Sequence, residues 1–117
     1  MTDPVVIWHN ARCSKSRGAC ALLDEHGIEA EVVRYLDTPP SRAELERVLA
    51  LLGSDDPRAM MRTGEPVYAE LGLDAADRET LLTAMTEHPI LIERPIIIRG
   101  DSAVIARPPE RLLELLG

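Results

Sequence analysis

The sequence predicts an α/β fold built around one mixed β-sheet. Three observations support this prediction: a short β-branched apolar run near the N-terminus, a helical apolar pattern directly after it, and a hairpin-like pair of apolar runs near the C-terminus. The predicted order is β-α-β, then a helical insertion at about residues 41–88, then β-β-α. Because 117 residues are enough for one core without disulfides or metal, we expect a single domain over residues 1–117.

The N-terminal third of the chain has the pattern of a βαβ unit. Residues 4–8, Pro-Val-Val-Ile-Trp, are typical of a buried strand, and the apolar residues that follow recur at helical spacing until Gly27. A second strand is expected over residues 29–36, ended by Pro39 and Pro40 because proline cannot continue a ladder. A βαβ unit requires a parallel pair joined by a right-handed crossover.

The middle of the chain is predicted to be helical. Ser41 and Glu44 form a capping-box pattern that opens a helix ending at Gly53. Shorter or similar helices are expected at residues 58–62, 68–71 and 77–87.

The C-terminal part is predicted to add a hairpin and a last helix. Residues 96–98 and 103–106 are apolar runs separated by a turn, and Pro108 opens the helical pattern. The hairpin would extend the sheet with antiparallel strands. This order is typical of the thioredoxin-like fold, in which a cis-proline stands just before the third strand, so we expect Pro95 to be cis.

Cys13 is the strongest candidate for chemistry. It lies where a loop enters a helix, and there the free N–H groups and the helix dipole favour a thiolate. His9, Arg12, Lys15 and Arg17 add positive or potentially positive groups nearby. A lone cysteine is usually a small buried apolar residue, but these polar neighbours favour a reactive one.

The second cysteine, Cys20, is predicted to belong to the core. It follows Cys13 by seven residues in one predicted helix, a rise of about 10 Å, whereas a disulfide needs Cα atoms within about 7 Å. The two could therefore bridge only if the helix unwound, which is the one way Cys20 could serve as a resolving thiol. Two cysteines form neither a disulfide scaffold nor a zinc site, so we expect no metal.

Charge and hydropathy restrict the partners. The net charge of −7 argues against nucleic acid or an anionic membrane. The chain has neither an apolar run near the roughly 18 residues of a membrane span nor a signal-peptide pattern. We expect a cytoplasmic monomer.

Five motifs follow one another along the chain. They are His9-Asn10-x-x-Cys13-x-x-Ser16-Arg17, Tyr35-Leu36-x-x-Pro39-Pro40-Ser41, Arg58-Ala59-x-x-Arg62, His88-Pro89-Ile90-Leu91-Ile92-x-Arg94-Pro95-Ile96 and Arg107-Pro108-Pro109-Glu110. Together they resemble the ArsC family of glutaredoxin-coupled arsenate reductases over nearly the whole chain. Ser14-Lys15 stands where the best-studied members have Gly after the cysteine, and the sequence ends at Gly117, so the resemblance is closer to the shorter chromosomal branch.

The resemblance implies a reaction and the residues for it. Members of the family have a thioredoxin-like fold with a helical insertion and reduce arsenate to arsenite with glutathione and glutaredoxin. Cys13 resembles the nucleophile that forms a thiol–arsenate ester, and His9 and Ser16 match positions that keep it ionised and oriented. The oxyanion would be held by three arginines: Arg62, Arg94 and Arg107. Glutathione would be a co-substrate, and no bound cofactor is expected.

Other interpretations of the same residues stay open. Arg62 ends a predicted helix, where a cation is favourable anyway, and Ser16 could be a helix cap. A redox-responsive regulator resembling Spx, which binds RNA polymerase, would normally have Cys-x-x-Cys, and Ser16 removes the second cysteine. A monothiol glutaredoxin-like disulfide reductase is compatible with Cys-x-x-Ser, but three matched arginines favour an oxyanion substrate.

Overall fold

The structure is a computed structural model that describes residues 4–116. Its backbone divides into two compact units, one containing the described part of Met1–Thr38 and Arg94–Gly117 and the other Pro39–Glu93. The predicted helical insertion lies inside the second unit. No helix in the described chain is long and apolar enough to cross a membrane.

Four strands and five α-helices make up the regular structure of the described residues. The strands are β1 (Val5–Trp8), β2 (Ala30–Val33), β3 (Ile96–Arg99) and β4 (Ser102–Ile105). The helices are α1 (Ser14–Glu25), α2 (Arg42–Leu51), α3 (Pro66–Glu70), α4 (Arg78–Glu87) and α5 (Leu113–Leu116).

All four strands belong to one mixed sheet in the first unit, in the order β2-β1-β3-β4. Strand β1 is parallel to β2 and antiparallel to β3, and β3 pairs with β4 as a hairpin. Ile7 in β1 is opposite Val32 on one side and Ile97 on the other. The mixed sheet, the parallel βαβ unit and the antiparallel hairpin were all predicted and are confirmed.

Strand β2 is shorter than the predicted strand over residues 29–36. The N–H groups of Asp37 and Thr38 both donate to the carbonyl of Arg34, at 3.0 and 2.9 Å, so the chain turns back on itself there. Backbone groups that are satisfied within a turn cannot extend a ladder. The prediction was therefore wrong at the C-terminal end of this strand.

Helix α1 packs against the sheet through its apolar face. It ends at Glu25, and Gly27 two residues later has a φ of 67° in the left-handed region, as the sequence predicted for a helix stop. One cluster of buried core residues comes from α1, three strands and the segment after β4: Val5, Ile7, Ala19, Leu23, Ile97, Val104, Ala106 and Leu112.

In the second unit, α2 begins with the predicted capping box. The Ser41 hydroxyl accepts from the Glu44 N–H at 3.2 Å, and the Glu44 carboxylate accepts from the Ser41 N–H at 3.0 Å. The predicted helix over 58–62 is instead a 3-10 turn at Pro57–Met60, because Met61 is extended and forms an isolated bridge with Ile92.

Arg58 ties the connecting segments of the second unit together. Its Nε donates to the Tyr68 hydroxyl at 2.9 Å, and its Nη2 donates to the carbonyls of Leu73, Asp74 and Ala76 at 2.7, 3.0 and 3.2 Å. One guanidinium thus satisfies four acceptors from α3 and the turn after it, which is a structural role.

Candidate active site

The loop between β1 and α1 is held closed by hydrogen bonds around Asn10. Its carbonyl accepts from the Cys13 N–H at 3.0 Å, and its side-chain oxygen accepts from the Arg12 N–H at 3.0 Å. The Asn10 N–H in turn donates to the Ser16 hydroxyl at 3.3 Å. Asn10 therefore positions the cysteine. This role was not predicted from the sequence, although Asn10 belongs to the first of the five motifs.

Cys13 is the N-cap residue of α1, and its surroundings favour the thiolate. Burial raises the pKa of Cys13, but hydrogen bonds from the Ser16 N–H, the Arg94 side chain and the Lys15 N–H, with the positive charge of Arg94, outweigh it. The pKa of Cys13 is therefore lower than that of an ordinary cysteine. The sulfur accordingly faces two helix N–H groups and one guanidinium.

Arg94 and Arg107 come together in the same unit as Cys13. The Arg107 Nη1 lies 3.5 Å from the Arg94 carbonyl oxygen. The peptide bond from Arg94 to Pro95 is cis, which confirms the prediction, and the bond from Arg107 to Pro108 is also cis, which was not predicted. Of the three predicted arginines, the structure thus places the side chain of Arg94 at the Cys13 sulfur and that of Arg107 against the Arg94 backbone.

The third arginine, Arg62, belongs to the second unit. Its N–H donates to the Leu91 carbonyl at 2.7 Å, and its guanidinium forms an ion pair with Glu65 and lies 3.9 Å from a Glu93 oxygen. Arg62 therefore already has carboxylate partners, and an oxyanion would compete with them for its donors.

His9 contacts the other cysteine. Its Nδ1 lies 3.5 Å from Cys20 Sγ. Burial, with the nearby charges of Arg34 and Arg17, lowers the pKa of His9 below its ordinary value of 6.5, so the imidazole is neutral at pH 7. Burial raises the pKa of Cys20, which keeps this thiol protonated. A neutral His9 adds no positive charge beside Cys13.

Cys20 is half-buried and packs against the core of the first unit. It therefore lies at the edge of the core that the sequence predicted for it.

Among residues 4–116, no group of three or more His, Cys, Asp or Glu side chains is placed to hold a metal ion. The groups described at the site are the Cys13 sulfur, the guanidinium groups of Arg94 and Arg107, and helix N–H donors. This combination suits the binding and nucleophilic attack of a tetrahedral oxyanion.

Comparisons with known proteins agree on one family. The ArsC family matches residues 8–115. The chain is 48% identical to arsenate reductases of Neisseria meningitidis serogroup A and Haemophilus influenzae over 114 residues, which is 96% of this chain and 97% and 98% of those proteins. The solved structure of an arsenate reductase from Vibrio cholerae has a TM-score of 0.93 and 47% identity, covering 97% of this chain and 98% of that one. The chain has a thioredoxin-like fold and belongs to the ArsC family.

Proposed function

We propose that this chain is an arsenate reductase whose nucleophile is Cys13. The observation that supports this most directly is the contact of the Cys13 sulfur with the Arg94 side chain and two helix N–H groups. An anion that approaches this sulfur meets donors arranged for negative charge. The names of relatives 48% identical over nearly the full length point to the same substrate.

In the first step, the Cys13 thiolate attacks arsenic, and one arsenate oxygen leaves as water. Arsenic remains in the +5 state and is held as a thiol–arsenate ester. The attack brings two negative species together, so Arg94 and Arg107 would lower the repulsion and stabilise the charge that accumulates in the transition state. Arg62 is the third arginine of the oxyanion site by resemblance, and Ser16 keeps the loop closed around the nucleophile.

Reduction then needs two electrons from outside the chain. Ser16 has a hydroxyl in place of a second thiol, and the raised pKa of Cys20 keeps that thiol unreactive. We propose that glutathione displaces a second oxygen of the arsenic as water and that a glutaredoxin thiolate then attacks the glutathione sulfur. The bond from arsenic to the glutathione sulfur breaks and leaves its electron pair on arsenic, which becomes +3, while glutaredoxin and glutathione form a mixed disulfide. Water then displaces Cys13 from arsenic, which releases arsenite and returns the Cys13 thiol.

These partners suggest where the protein works. Glutathione and glutaredoxin act in a reducing compartment, so the proposed location is the cytoplasm. We propose that the protein is a monomer and that it needs no bound cofactor or metal and no nucleic-acid or membrane partner.

The test is arsenate-dependent NADPH oxidation coupled through glutathione, glutathione reductase and glutaredoxin. We expect an arsenate-stimulated rate in the natural protein that Cys13→Ser abolishes. Cys20→Ser is the matched control: it removes the other thiol, keeps a donor for His9, and should retain most of the rate. No stimulation by arsenate, or a rate that survives Cys13→Ser, would refute the proposal. With arsenate and glutaredoxin both left out, an equal rate on a glutathione mixed disulfide would support a disulfide reductase instead.

A further inference from the structure

A cleft of about 390 Å³ opens beside the Cys13 loop in the first unit. Residues 9–12 form one wall, and Arg34, Leu36 and Asp37, from the turn after β2, form the other. Its size is within the range of small-molecule sites. The Cys13 N–H donates to the Asn10 carbonyl at 3.0 Å, so the backbone of Cys13 is hydrogen-bonded to the first wall. We call this feature the loop cleft.

The charges of the loop cleft are available to a ligand. Arg12, Arg34 and Asp37 are exposed, and within the described part of the chain their side chains have no hydrogen-bond or ion-pair partner. Neutral His9 leaves the loop cleft with two positive charges and one negative charge, although the whole chain carries −7. Leu36, an apolar side chain that is 37% exposed, also lines the loop cleft and offers contact area to an aliphatic stem.

The complementary ligand has two carboxylates, one ammonium and an uncharged middle. Glutathione has this pattern at neutral pH, with its thiol between the charged ends. Guanidinium groups suit carboxylates, and Asp37 suits the ammonium. The loop cleft includes residues 9–12 of the loop that carries Cys13, so a tripeptide held there at both ends lies beside that loop.

We propose that the loop cleft is the binding site for glutathione. Its amino-acid end lies on Arg34 and Asp37, and its other terminal carboxylate lies on Arg12. This inference rests on the proposed function for its biological meaning, because it assigns a place to the co-substrate of that reaction. Binding itself requires neither arsenate nor a thiolate.

Titration with S-methylglutathione, whose sulfur cannot react, tests the site directly. In the natural protein, amide NMR shifts should concentrate at residues 9–12 and 34–37 and saturate. Arg12→Ala, Arg34→Ala and Asp37→Asn should each weaken binding about fivefold, as expected for exposed ion pairs. The matched control is Arg111→Ala, because Arg111 is an exposed arginine of the same unit outside the loop cleft; its affinity should be unchanged. Absence of saturable binding, shifts centred elsewhere, or variants that bind as tightly as the natural protein would overturn the inference.

Modified ligands test the assignment of each end. In the glycine ethyl ester of S-methylglutathione, the carboxylate assigned to Arg12 is blocked. The natural protein should bind this ester more weakly than it binds the free acid. Arg12→Ala should bind the ester and the free acid with equal affinity. The N-acetyl derivative should behave in the same way with Asp37→Asn. Equal losses in the natural protein and the matching variant would contradict the assignment.

Kinetics separate this inference from the proposed function. In the coupled assay, Arg34→Ala should raise the KM for glutathione about fivefold and leave the KM for arsenate unchanged. If Arg34→Ala turned over arsenate with an unchanged KM for glutathione, the glutathione site in the loop cleft would be refuted and the proposed function would stand. S-methylglutathione bound in the loop cleft of a protein that does not turn over arsenate would refute the proposed function alone.

Discussion

Cys13 and Cys20 are the same residue type about two helical turns apart, but their surroundings change their chemistry in opposite directions. Donors from Ser16, Arg94 and Lys15 outweigh the effect of burial at Cys13, and its pKa falls. At Cys20 only burial acts, and its pKa rises. Since the thiolate is the reactive form, an electrophile should modify Cys13 selectively near neutral pH.

The pH dependence of alkylation tests this contrast. Because the pKa of Cys13 is lowered, its thiolate persists to lower pH, and the midpoint of its iodoacetamide reaction should lie below that of a free cysteine. Arg94→Ala removes a hydrogen bond and a charge from the thiolate, so the midpoint should move upward and the rate at pH 7 should fall about tenfold. Intact-protein mass spectrometry across the pH range measures both.

Arg107→Ala is the informative comparison for that experiment. Arg107 is not among the groups that lower the pKa of Cys13, so its loss should leave the alkylation profile unchanged. If Arg107 holds the oxyanion, the same variant should raise the KM for arsenate. A shifted alkylation profile in Arg107→Ala would mean that this arginine acts on the thiolate itself.

At the scale of elements, the loop between β1 and α1 is joined to the helix by a hydrogen bond to Ser16, a residue of the first turn of α1. The Ser16 hydroxyl is fully buried and accepts from the Asn10 N–H, while the Ser16 N–H stabilises the Cys13 sulfur. A serine at this position was expected to cap the helix or to orient the thiolate. The N-cap is instead Cys13, and the serine hydroxyl holds the loop.

Ser16→Ala should therefore affect both stability and reactivity. The Asn10 N–H would lose its acceptor in a partly buried place, so we expect the free energy of unfolding to fall by about 1–2 kcal/mol in urea titration. Alkylation of Cys13 should also slow as the loop loosens. The matched control is Ser14→Ala, which changes an exposed serine of the same helix and should cost less than about 0.5 kcal/mol. Equal effects of the two substitutions would exclude this role for Ser16.

The arginine network of the second unit predicts a separate stability effect. The planar guanidinium of Arg58 donates to four acceptors, and the single ammonium of a lysine cannot replace all of these hydrogen bonds. Both Arg58→Ala and Arg58→Lys should therefore lower the urea midpoint of unfolding. Arg42→Ala, which removes an exposed ion pair with Glu79, should lower it less. If Arg58→Lys were as stable as the natural protein, the hydrogen bonds of the guanidinium would not be the source of the stabilisation.

At the scale of the whole molecule, the central strands β1 and β3 provide the rigid frame for the cysteine and the arginines of the first unit. Ile97 is fully buried and is paired with Ile7 on one side and Val104 on the other. The Cys13 loop follows β1 directly, Arg94 precedes β3, and Arg107 follows β4. The register of this sheet therefore decides whether the site assembles.

Ile97→Ala should destabilise the molecule without changing the chemistry of the folded fraction. Removing a fully buried isoleucine costs about 2–5 kcal/mol, measured as the free energy of unfolding in urea. Val32→Ala, in edge strand β2 where the side chain is 50% exposed, should cost much less. A small effect of Ile97→Ala would mean that the core refills the space.

Predictions from sequence succeeded where the physical signal lies within a few residues. The capping box of Ser41 and Glu44, the helix stop at Gly27 and the placement of Cys13 at a helix N-terminus each depend on neighbours no more than four positions away. The helix predicted at 58–62 is wrong because a bridge to Ile92, which lies 31 positions further along the chain, holds Met61 extended.

The sequence by itself determined the α/β order, the mixed sheet, the reactive cysteine and, through five motifs, the family. Only the tertiary structure decided that His9 contacts Cys20, that the Arg94 side chain reaches the Cys13 sulfur, and that Arg12 and Arg34 line the same cleft. The reason is physical. Helix caps and turns are specified by local backbone geometry, whereas contacts between distant side chains depend on strand register and packing, which arise only when the whole sheet has formed.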